Sequence, residues 1–219
     1  PEDFVWNYIA VMLYNNQDRH TLYLTSEYSA DKQILTVVEN FETQFEKQIG
    51  KDMTQGERLG IKKLVMQTYL RALALDKCAD YGSNALKEFD NSYIRENTMY
   101  ALLKTGRYTE CLKLAKEAES GTNPAPLYYA AAASLESGDT DTSIDYVLKL
   151  AEQVKTSEYP KKADELLHSF LALLIVDTET TEAKYSQLNE AQIGRLESDT
   201  LLKNYLEAYA CAYYSTYGE

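Results

Sequence analysis

Any chemistry in this chain would have to start from a small set of side chains. Asp139-Thr140-Asp141-Thr142-Ser143 alternates acids with hydroxyls, as the opening of a calcium-binding loop does. Such a loop also needs glycine at its sixth position for a sharp turn and a bidentate acid at its twelfth. Here those positions hold Ile144 and Leu150. The acids read instead as a helix start, where carboxylates meet the positive end of the helix dipole. The two histidines, His20 and His168, lie far apart, and neither stands at zinc-ligand spacing from a cysteine. Cys78, Cys111 and Cys211 are separated, odd in number and without a C-x-x-C, so no disulfide framework is implied. All three are expected to be small buried core residues. The chain has no phosphate-cradling glycine loop, no G-x-S-x-G elbow and no H-E-x-x-H pair. The expectation is a protein with no catalytic residues, no cofactor and no metal.

Charge narrows the partners. The 219 residues carry a net charge of −12. A surface this acidic repels phosphate backbones and anionic lipid headgroups. Nucleic acid is therefore excluded as a partner, and a protein or peptide is left. The apolar stretch at residues 4–14 is too short to cross a bilayer, which takes ~20 residues, so no direct membrane insertion is expected of this segment. It reads as a core helix. The first residue is Pro1 rather than Met, which fits a processed or excised piece of a larger, even membrane-anchored, protein. Tyrosine is abundant, with 19 residues against 5 phenylalanines and 1 tryptophan. Its ring can be buried while its hydroxyl stays wet, which suits binding surfaces as well as ordinary packing between helices.

The elements that would position these side chains are helices. With 4 prolines and 9 glycines there are few breakers, and apolar residues recur at helical spacing almost throughout. The stretch 21–25 alone is β-prone, and it lacks sheet partners. Ser29 or Asp31 starts a helix reaching about residue 49. Thr54-Gln55-Gly56-Glu57 forms a capping box for a helix reaching about residue 75. Further helices are expected at 76–89, 92–104, 108–119, 126–136, 141–154, 159–176 and 181–191. A last helix bears Tyr205, Tyr209, Tyr213 and Tyr214. The chain thus divides into three regions: N-terminal helices at 1–90, paired helices at 91–191 and a capping helix at 192–219.

Between residues 91 and 155 the pairs become regular. Leu102-Leu103-Lys104-Thr105-Gly106-Arg107-Tyr108 runs on to Cys111, Leu112, Ala115 and Ala118, and Asn123-Pro124 closes the unit. Gly138 repeats the turn glycine 32 residues after Gly106. This pattern resembles the tetratricopeptide repeat (TPR), a helix–turn–helix unit stacked into a solenoid. The resemblance implies an all-α, right-handed superhelix of antiparallel helix pairs with degenerate flanking helices. It also implies a concave groove for a peptide or partner helix, lined by the first helix of each pair. On that alignment Tyr93, Tyr100, Lys104, Tyr128, Glu136 and His168 are the partner-binding residues. The expected function is a non-catalytic interaction module or scaffold. A structural, oligomerising domain stays open as an alternative, and so does an enzyme on a helical scaffold, for which no motif speaks.

Overall fold

The computed structural model describes residues 53–175 and 183–217, with side chains to Tyr209 and at Cys211. Within them the fold is all-α: α1 (Gln55–Arg71), α2 (Leu75–Ala85), α3 (Ser92–Lys104), α4 (Tyr108–Lys116), α5 (Ala125–Glu136), α6 (Thr140–Thr156), α7 (Pro160–Ile175), a 3-10 turn (Lys184–Gln187), α8 (Glu190–Glu197) and α9 (Thr200–Tyr217). The expected elements at 4–14, 21–25 and 31–49 lie outside the described residues. The chain divides into two compact units, Pro1–Ala101 and Leu102–Glu219.

Local chemistry sets the helix starts. Thr54 and Glu57 form the anticipated capping box, each side chain accepting the other's backbone N–H at 3.3 and 2.8 Å. The hydrogen bonds from the Thr54 side chain and then its backbone hold the Glu57 carboxyl below its ordinary range. Asp139 Oδ1 accepts from the Thr142 N–H at 3.2 Å, so the calcium-like acids do begin a helix. Asn123 accepts from the Ala125 N–H at 3.1 Å and opens α5. The helix expected at 181–191 is not continuous over its described residues, of which only Glu190 and Ala191 are α-helical. Leu188 is extended after the 3-10 turn, and Asn189 caps a new helix, accepting from the Gln192 N–H at 2.9 Å. A side-chain cap at Asn189 competes with helical continuation through it.

Three helix ends share one geometry. After α1, α3 and α5 the chain turns through a residue in the left-handed region, at Leu73 (φ 54°), Gly106 (φ 74°) and Gly138 (φ 85°). In each case the next N–H reaches back five residues: Ala74 to Tyr69, Arg107 to Leu102 and Asp139 to Ser134, all at 2.9 Å. This closure satisfies carbonyls that a helix end otherwise leaves bare. The turns are 33 and 32 residues apart. The closure also explains why α1 stops at Arg71, short of residue 75.

The helices after these turns match one another as well. Five residues on from each turn stand Cys78, Cys111 and Ser143, and nine on stand Gly82, Ala115 and Val147, all buried. Cys78 Sγ points at the Met66 carbonyl at 4.0 Å, and Ser143 Oγ donates to the Ala131 carbonyl at 2.8 Å, twelve residues back in both. In the first unit Gly82 lets the helices close: a Cβ there would overlap the Thr98 hydroxyl and lie 2.5 Å from Met66 Cε. Ile61, Val65, Met66, Ile94 and Met99 fill the core around it.

In the second unit α5 is the central helix. Every residue from Ala125 to Leu135 except Tyr128 is buried, and α5 packs on α4, α6 and α7. Its alanines allow that approach, while Val147, Leu150, Leu167, Phe170 and Leu171 supply bulk from α6 and α7. Each fully buried side chain of this kind contributes about 1.5–3 kcal/mol of transfer free energy. α8 and α9 pack against α6, and α9 also against α7.

Candidate functional site

Helix position alone sorts the six expected binding residues. Tyr93 and Tyr100 lie seven residues apart on α3, two turns along one face, and both rings are exposed, at 38 % and 36 %. Lys104, at the end of α3, is exposed as well. Tyr128 is half-buried, its ring edge-on to Tyr129 at 5.1 Å. Glu136 is engaged within the chain, its carboxylate 2.6 Å from Lys184 Nζ.

His168 sits on α7 among residues of α9 that its sequence position does not foretell. Its ring stacks on Tyr205, with centroids 4.5 Å apart and planes at 22°. His168 Nδ1 is 3.3 Å from the Tyr209 hydroxyl, which donates to the His168 carbonyl at 3.3 Å. One turn earlier on α7, Asp164 accepts from the Tyr205 hydroxyl at 2.6 Å. That hydrogen bond, then burial, then the Asp164 charge, pushes the Tyr205 phenol up to about 12. The spacing of Tyr205 and Tyr209, one turn apart on α9, is the sequence signal for this clasp, although its α7 partners are not legible there.

The shared turns disclose further residues. Counting back ten, six and two positions from each left-handed residue gives Glu96, Tyr100 and Lys104 on α3, and Tyr128, Ala132 and Glu136 on α5. Four of the six expected residues fall on these positions. The same count on α1 gives Lys63, Gln67 and Arg71. These sit at i, i+4 and i+8, hence on one helix face, and all are half-exposed. Sequence pattern misses them because Leu73 stands where the later turns have glycine.

Around Tyr93 the electrostatics are specific. Lys63 Nζ lies 5.8 Å from the ring centroid, within range of a cation–π attraction. Burial raises the Tyr93 phenol above its ordinary value, and the nearby Arg71 charge offsets part of that rise. A second pair beside it sets Lys62 Nζ over Tyr81 at 5.1 Å, with Tyr81 edge-on to Tyr69 at 5.7 Å.

Of the three thiols, Cys78 and Cys111 are buried and Cys211 is exposed. The expectation of three core cysteines is thus corrected at Cys211, where α9 turns that position outward. Burial pushes both Cys78 and Cys111 up to about 12, so they stay protonated at neutral pH. No group of three or more His, Cys, Asp or Glu suited to a metal ion occurs among the described residues. No helix among them is long and apolar enough to cross a membrane.

Comparison of the chain with protein-family models, with curated proteins and with solved structures finds no match.

Proposed function

We propose that this chain is a TPR-like helical-repeat module that holds a polypeptide partner against the first helices of its pairs, without performing catalysis. The observation that carries the reading is the recurrence of one backbone turn at Leu73, Gly106 and Gly138, with buried residues at matching offsets after it. A unit that repeats its turn and its small-residue contacts is built to stack, and stacked units leave one face of each first helix for a ligand. Tyr93 and Tyr100 on α3 and Tyr128 on α5 are rigid, amphipathic rings of the kind enriched at binding interfaces.

The test is photo-crosslinking in the source cell. A benzophenone amino acid replaces Tyr100 or Tyr128 in turn, and a third variant carries it at Lys161, which is 91 % exposed on α7. Discrete polypeptide adducts at 100 and 128, absent at 161, are expected. Adducts that are missing at both positions, or equal at all three, reject the module.

A further inference from the structure

The first unit places exposed aromatic rings beside positive charge on α1 and α3. Of the four large apolar residues that are exposed among the described residues, Leu73, Tyr93 and Tyr100 belong to it. Lys63 and Arg71 lie beside Tyr93, and neither has an ion-pair partner among the described residues. Helix α1 carries Arg58, Lys62, Lys63 and Arg71 against the single acid Glu57, in a chain whose net charge is −12. In the second unit Lys149, Lys155, Lys184 and Arg195 are each bound to a carboxylate of the same unit. In the first, Arg58 pairs with Glu88 and Arg95 with Asp90, whereas Lys63 and Arg71 flank an exposed ring.

We infer that the α1 face bearing Lys63, Gln67 and Arg71, with Tyr93 and Tyr100 of α3, is a docking surface for an acidic peptide segment of a partner protein. The inference rests on the module reading above and specifies the ligand's chemistry. A guanidinium offers a carboxylate two parallel N–H donors, and an ammonium offers a compact charge. The two tyrosine rings, 38 % and 36 % exposed, present area for apolar side chains interspersed among the acids. Gln67, between the two cations on the helix face, can donate to and accept from an extended backbone. The two positive charges beside Tyr93 repel further cations, so the surface discriminates by sign as well as by shape.

The experiment uses the full chain and three fluorescein-labelled dodecapeptides: repeats of glutamate-glutamate-leucine, glutamine-glutamine-leucine and lysine-lysine-leucine. Fluorescence anisotropy monitors binding at low salt and at about 0.5 M salt, where the Debye length shrinks to a few Å. The glutamate peptide is expected to bind at least tenfold more tightly than either other peptide, and to weaken at least tenfold in high salt. Lys63→Glu and Arg71→Glu should each weaken it by about tenfold, and Tyr93→Ala by less, whereas Lys161→Glu on α7 leaves it unchanged. Circular dichroism checks that each variant keeps its helices.

Equal affinity for the glutamate and glutamine peptides overturns the inference. So does an equal loss from Lys161→Glu, or no binding by any peptide. Self-association that Lys63→Glu abolishes overturns it as well, since the occupant would then be a second copy. If the glutamate and glutamine peptides bind alike and both are lost in Tyr100→Ala, the acidic-ligand inference falls without rejecting the module. The module itself stands or falls on the crosslinking at 100 and 128.

Discussion

Helices α1 and α5 hold equivalent places, each ending in the same left-handed turn, yet they meet their surroundings differently. The face of α1 at Lys63, Gln67 and Arg71 is half-exposed and positively charged. At the matching places α5 has Tyr128, a fully buried Ala132 and a Glu136 tied to Lys184. The helices that come next differ in the complementary sense. α2 has Gly82 where α6 has Val147, so close approach in the first unit is made by deleting a side chain, and in the second by alanines on the partner helix. One backbone plan therefore supports a charged, half-exposed face in one unit and a largely buried helix in the other. The turn specifies the hairpin, and the side chains between turns decide what it presents.

The contrast can be broken most forcefully at the Gly82 and Val147 positions. Val147→Ala removes two fully buried methyl groups and should destabilise the chain by about 2–3 kcal/mol, counting ~0.8 per methylene equivalent plus a cavity. Gly82→Ala adds one carbon where none fits, at a cost of about 1–3 kcal/mol. Urea unfolding monitored by circular dichroism reads both, and a neutral Gly82→Ala would show that α2 is not held as close to Thr98 as described.

The turns come next. Leu73 carries a left-handed strain of about 1–2 kcal/mol that glycine relieves. Glycine also loses more chain entropy on folding, so Leu73→Gly should stabilise by about 1 kcal/mol or slightly less. Gly106→Ala and Gly138→Ala should destabilise by about 1 kcal/mol. If Leu73→Gly destabilises instead, the three turns are not equivalent.

Smaller effects concern α9. The Tyr205 phenol is raised from 10.0 to about 12. Its hydrogen bond to Asp164 therefore contributes stability that is complete below pH 10 and lost as the pH rises to 12. Spectrophotometric titration should show a late-ionising phenol that Tyr205→Phe removes.

At the acid end, burial alone would raise Asp199. The hydrogen bond from Lys155, that from the Leu202 N–H, the Lys155 charge and the Leu201 N–H together outweigh burial and hold the carboxyl below 3.8. This depressed value contributes stability above the ordinary carboxylate range that disappears as the pH falls through the folded value. Lys155 is exposed and its pair with Asp199 is screened by solvent, so Lys155→Gln should lower Tm only slightly near neutrality. The effect should shrink further at low pH, read as Tm against pH.

Much of the fold is legible from local rules. The capping box at Thr54, the bounds of α3 and the acidic start at Asp139 each arise from side chains within one turn of the helix they begin or end. What stays hidden depends on contacts between distant residues. A leucine in a left-handed turn gives no sequence signal, because the closure is imposed by backbone hydrogen bonds rather than by residue type. With Leu73 unmarked, the α1 face is unmarked too. Glu136 and His168 fall on the expected helices. Their partners Lys184 and Tyr205 lie 48 and 37 residues further along, where helical periodicity carries no information about pairing.

The placement of the three sulfurs has a practical consequence. Two thiols are sealed in the cores and held protonated, and the third lies in the open on α9. A maleimide dye added to the native chain should therefore attach once, at Cys211, without engineering. Such a label would ride on the helix clasped through Tyr205 and Tyr209, and its anisotropy would report directly when that clasp lets go.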